Sequence, residues 1–158
     1  MSTSIALNLH SFSTLDLTPA QAVLAPLLPN LDPVHQDINL RFEIDYPREP
    51  ADPRELSEIP EVRLWFIRLD AHYPWLPLVL DWEAGELGRY AAMLVPHQFS
   101  PREGIRYNPE ALEIFVMQKV FVISLWLQDQ GLEGRSKLKF MTQMLGYELE
   151  DAFFEVLA

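Results

Sequence analysis

Cysteine is absent from this 158-residue chain, glycine occurs only six times, and 23 acidic residues outnumber 12 basic ones. Without cysteine there is no disulfide, no thiolate nucleophile and no iron–sulfur cluster held by the chain's own thiolates. That absence fits a reducing compartment. The few glycines form no Gly-rich strand-to-helix loop, so both the P-loop and the dinucleotide fingerprint are missing. A Gly-x-Ser-x-Gly nucleophile elbow is missing too. The formal net charge of −11 repels phosphate backbones and anionic membrane faces and favours a basic protein surface as partner. Long apolar runs are also lacking. The strongest, Leu112 to Leu127, contains Glu113, Lys119 and Ser124 and falls short of the roughly 20 residues needed to span a bilayer. Met1-Ser2-Thr3-Ser4 shows neither the basic start and apolar run of a signal peptide nor an Arg-rich transit peptide. The expectation is a cytoplasmic chain with no membrane insertion and no nucleic-acid partner.

What is present suits one domain over residues 1–158, with 49% hydrophobic and 22% charged residues. Eight of the 13 prolines fall in the first 60 residues, and residues 46–53 read as a proline-rich connecting segment. Ile5, Leu7 and Leu9 alternate and predict a first strand. Thr18-Pro19 predicts a helix start with Thr18 as cap. Ile38, Leu40, Phe42 and Ile44 alternate with polar residues and predict a strand with one wet face. A helix follows from Pro60 and ends near Tyr73, because Pro74 and Pro77 cannot continue it. Leu78 to Leu80 and Tyr90 to Val95 read as two strands joined through residues 81–88 as a hairpin. Asn108 and Pro109 open a long helix that ends at Gly131. It is apolar at 12 of the 16 positions from Leu112 to Leu127, which predicts burial on most sides. Residues 136–145 and 148–157 read as two shorter helices. The expected class is α+β, with a small, mostly antiparallel sheet packed on that long buried helix.

The candidates for chemistry are thin. His72 and His97, with Asp70, Asp81 or Glu83, are the one set that suggests a metal site or a metal-dependent enzyme, yet they match no ligand pattern. Scattered carboxylates in so acidic a chain read as a solvated face. Arg135, Lys137 and Lys139 make a local basic patch beside an acidic last helix, which argues against DNA binding. Aromatic residues are densest between Trp65 and Tyr90. Trp65 and Phe66 lie on the apolar stripe of their helix and read as core. Trp75 and Trp82 flank prolines and a turn, where an interface role is as fitting as a core role.

The stretch from Trp65 to Tyr147 resembles the Chlororespiratory Reduction 6 family of cyanobacteria and plastids. The resemblance lies in Trp65 to Asp70, Tyr73-Pro74-Trp75-Leu76-Pro77, Leu80-Asp81-Trp82 and Gly85-Glu86-Leu87. It continues through the block Arg89 to Ser100, Glu103-Gly104-Ile105, Asn108 to Glu113 and Met144 to Tyr147. It implies an assembly factor rather than an enzyme, without a cofactor, acting on the iron–sulfur subunit of the hydrophilic arm of the photosynthetic NDH-1 complex. It further implies the cyanobacterial cytoplasm, or the stroma in plastid relatives. It transfers no catalytic residue. The partner-binding surface is expected at Tyr73, Trp75, Asp81, Trp82, Glu86, Arg89, Tyr90, His97, Gln98 and Phe99. Trp75→Ala or Trp82→Ala would then weaken binding and leave stability nearly unchanged.

Overall fold

A computed structural model describes residues 2–157. Strand β1 (Ser2–Asn8) leads into a short helix α1 (Leu9–Ser13), so Leu9 closes the alternation and turns outward. Helix α2 (Thr18–Leu24) starts with Pro19 in its first turn, but Thr18 is its first residue and Leu17 its cap, and Asp16 ahead of them accepts from both the Thr18 N–H and hydroxyl. Strand β2 (Asn39–Asp45) buries Leu40 and Phe42 and exposes Arg41 and Glu43, as its alternation requires. β1 and β2 pair in parallel, Ser2 opposite Asn39 through Asn8 opposite Asp45. A parallel pair in place of the antiparallel sheet expected follows from the connection. Residues 9–38 hold two helices and a 3-10 turn, long enough for a crossover.

Helix α3 (Pro60–His72) buries Val62, Trp65, Phe66 and Leu69 at helical spacing. The chain then makes a buried 3-10 turn at Leu76–Val79, and Leu80 adds a single parallel bridge to Leu40. Neither of the two strands expected here forms. Residues 90–94 belong instead to helix α4 (Glu86–Leu94), which buries Glu86, Leu87, Tyr90 and Ala91 at 3.6-residue spacing, and Val95 follows it in an extended conformation. Tyr90 to Val95 is continuously apolar, a pattern shared by a buried strand and a buried helix. The period becomes visible only when Glu86 and Leu87 are counted in. Residues 81–85 are therefore the turn into a helix and 86–88 its first turn, with Gly85 at φ 81° supplying the left-handed residue before it.

The antiparallel pairing sits further on, in the hairpin of β3 (His97–Ser100) and β4 (Gly104–Tyr107). Helix α5 (Pro109–Asp129) is capped by the Asn108 side chain, which accepts from the Ala111 N–H. Helices α6 (Arg135–Met144) and α7 (Asp151–Leu157) complete the chain. The class is α+β, with a long α5. That helix is not buried on most sides. Its inner face carries Val116, Lys119, Val120, Ile123 and Leu127, while Ile114 and Leu125 are 70% and 60% exposed.

The core has two parts. The larger one gathers Ile5, Phe12, Leu40, Phe42, Trp65, Phe66 and Tyr90, with aromatic rings meeting edge-on, as in Phe42–Phe66 at 5.0 Å and Phe12–Trp65 at 5.6 Å. The smaller one joins Val120, Ile123, Leu127, Leu138, Met141 and Phe154 of the last three helices.

Candidate functional site

Several of the expected partner-binding residues turn inward. Trp75 is 3% exposed and stacks on Trp126 of α5, with centroids 5.5 Å apart and planes 27° apart. It joins the turn before α4 to the long helix, so the stability-neutral outcome expected for Trp75→Ala is replaced by that of a core deletion. Tyr90 is also buried and donates to Asp70 Oδ1 at 2.7 Å. Burial, and then the Asp70 charge, push its phenol well above its usual pKa.

Three polar members of the set are structural ties between α4 and β2. Asp81 is 6% exposed, accepts from Arg41 Nε at 2.7 Å and receives the Ala84 N–H at 3.1 Å. The Ala84 N–H first, and the Arg41 guanidinium after it, hold its carboxyl below the usual range. Glu86 accepts the Phe42 N–H at 3.4 Å, and Arg89 donates to the Phe42 carbonyl at 3.0 Å. The two side chains also meet at 3.4 Å. Together they satisfy both backbone groups of Phe42 on the outer edge of β2, where a third strand would otherwise pair.

The accessible members are Tyr73, Trp82, His97, Gln98 and Phe99. Tyr73 is half-buried beside Trp75. Trp82, also half-buried, donates to the Pro77 carbonyl at 2.8 Å and lies against Phe140, with the Lys137 ammonium 5.5 Å above its ring. It borders an open cleft shared with Ile38, Leu78 and Leu80. His97 bridges Val95 O at 2.9 Å through Nδ1 and Ser57 Oγ at 2.8 Å through Nε2. A carbonyl only accepts, so Nδ1 carries a proton, and in the neutral ring Nε2 then accepts from the serine. A Ser–His pair of this length is also a nucleophile–base geometry. Here Ser57 is buried within a 3-10 turn and the contact anchors the hairpin. On that hairpin Phe99 faces Ile105 across the strands, 48% and 39% exposed, with Gln98 and Arg106 beside them.

The metal alternative finds no geometry. His97 is engaged by Ser57, Asp81 by Arg41, and Asp70 by Tyr90 and Lys119, while His72 is exposed at the end of α3. Among the described residues no group of three or more His, Asp or Glu is placed to hold a metal ion. The basic patch is likewise occupied. Lys137 donates to the Pro33 carbonyl, Lys139 pairs with Asp151 at 3.0 Å, and Arg135 lies over Phe154.

One buried charge escaped the reading of the sequence altogether. Lys119 is 1% exposed and paired with Asp70, which thus receives α5 through Lys119 and α4 through Tyr90. Burial lowers the ammonium pKa and Asp70 opposes that shift. A lone lysine amid Met117, Val120 and Val122 was the available signal, since charge on the inner face of an apolar helix needs a partner.

With the geometry in place, the comparison with known families is decisive. The family model described as Chlororespiratory reduction 6 matches residues 7–156. The chain belongs to the Chlororespiratory Reduction 6 family. That family is associated with biogenesis of the NDH complex and is not a known enzyme class. The match runs from the end of β1 through most of α7, and so includes residues 7–60, which contributed little to the resemblance in sequence. No solved structure gives a significant match to the chain. Among the described residues no helix is long and apolar enough to cross a membrane.

Proposed function

We propose that this member of the Chlororespiratory Reduction 6 family is an assembly factor that binds the immature iron–sulfur subunit of the hydrophilic arm of the photosynthetic NDH-1 complex. The family match over residues 7–156 carries this reading. The side chains support a binding role, because the ionisable groups expected at the site are engaged in internal contacts. The factor works in the cyanobacterial cytoplasm, or in the stroma for plastid relatives, holding the subunit without a cofactor of its own.

Two places offer contact area. The β3–β4 hairpin presents Phe99 and Ile105 as a side-by-side apolar pair with Gln98 adjacent. Trp82 lines the open cleft beside it. An acidic surface with net charge −11 raises the encounter rate with a basic docking face more than the final affinity. The test is affinity isolation of the tagged chain from cyanobacterial cells, with NDH-1 subunits followed by mass spectrometry. Hydrophilic-arm subunits should co-purify, and Phe99→Ala should reduce their yield without changing thermal unfolding. Equal recovery of these subunits with an unrelated acidic bait would overturn the reading.

A further inference from the structure

The solvent face of α5 is apolar where a surface helix should be polar. Ile114, Phe121 and Leu125 are 70%, 43% and 60% exposed. With Gln118 between them they follow a 4-3-4 spacing, which draws one straight seam along a helix over about 16 Å. Helix α7 widens the seam. Phe153 packs on Phe121 at 6.0 Å, Gln128 Nε2 reaches the Leu157 carbonyl at 3.4 Å, and Val156 is 84% exposed.

The exposed charges carried by α5 and α7 themselves have one sign, while Arg135 and Lys139 of α6 lie against α7. Glu110, Glu113, Asp129, Asp151 and Glu155 are exposed on the two helices, whereas the one base on them, Lys119, is buried against Asp70. Among the described residues, Asp151 alone of these acids is in an ion pair, with Lys139.

We propose that this seam docks a basic amphipathic helix of a partner protein. The proposal rests on the binding role argued above and gives that role a second surface, apart from the β3–β4 hairpin. Straight 3-4 spacing fits an apolar helix face laid into a groove. Flanking carboxylates select Lys and Arg on either side of that face. A second copy of this chain is the poorer occupant, because it would set the same carboxylates against one another.

A Lys-rich peptide of about three heptads, with Leu at the a and d positions, is the probe. Its partner in the test is a peptide of the same composition in scrambled order, and binding to the full chain is read by fluorescence anisotropy. The ordered peptide should bind, weaken as salt is raised, and bind about tenfold more weakly to Leu125→Ser or Ile114→Ser. Both variants should keep the thermal unfolding of the parent chain. Equal binding of the scrambled peptide, or undiminished binding to both variants, overturns the proposal. So does a dimer of the parent chain that Leu125→Ser dissociates, since that gives the seam to a second copy. Isolation from cells separates the two readings. Hydrophilic-arm subunits recovered equally with the parent chain and Leu125→Ser would reject the seam and keep the assembly role. Their absence from both would reject the assembly role, and the peptide measurements would decide the seam by themselves.

Discussion

The aromatic half of the molecule and its aliphatic helix treat large side chains in opposite ways. Around β2, α3 and α4, the rings of Phe42, Trp65, Phe66 and Tyr90 close on one another, and even Trp75, next to two prolines, is drawn inside. Along α5, a helix of higher apolar content leaves Ile114 and Leu125 in solvent. Density of aromatic residues therefore marks the core here, and excess of aliphatic residues marks a surface. The difference teaches that composition alone does not separate an anchor from a core residue. Position relative to the neighbouring elements does: the inner face of α5 meets the core, while Ile114 and Leu125 lie on its outer face, mostly in solvent.

That contrast can be broken by substitution. Trp65→Ala should have the largest effect, about 3–5 kcal/mol in chemical denaturation, since the indole is fully buried and also donates to the Asp16 carbonyl at 2.7 Å. Trp75→Ala should cost about 3 kcal/mol by the same measurement. A loss under about 1 kcal/mol would return Trp75 to the surface class. Lys119→Met keeps the volume but removes the charge that faces Asp70, and should also cost about 3 kcal/mol. Adding Asp70→Asn to that variant should recover part of the loss, because no buried charge is then left alone.

A smaller effect is expected from acid. The folded state lowers the pKa of Asp81, so the carboxylate stabilises the protein above its unfolded value near pH 4. The contribution is lost as the pH falls through the lower, folded value. Asp81→Asn should therefore flatten the stability–pH curve below about pH 4, followed by circular dichroism. Smallest of all should be Ile114→Ser and Leu125→Ser, within about 0.5 kcal/mol of the parent chain, because both side chains are mostly in solvent.

The elements legible in sequence were those whose pattern is settled locally. The alternation Leu40-Phe42-Ile44 needs only a wet face, and α3 and α5 announce themselves with Pro60, Asn108 and Pro109. The direction of the sheet was not legible, because parallel pairing is decided by where a crossover returns the chain. Nor was α4, whose continuous apolar run hides its period. At the candidate site, Asp81, Glu86 and Arg89 carried the right chemistry for recognition, and their actual roles depend on contacts with Arg41 and Phe42, more than 35 residues away. Lys119 paired with Asp70 is legible only once α3 and α5 are known to touch.

The Glu86–Arg89 contact with Phe42 has a consequence for how the molecule keeps company. An open strand edge is a template on which any extended peptide can pair. On the β2 side of this molecule a carboxylate and a guanidinium already occupy both backbone groups of Phe42, so ladder growth from that flank stops there.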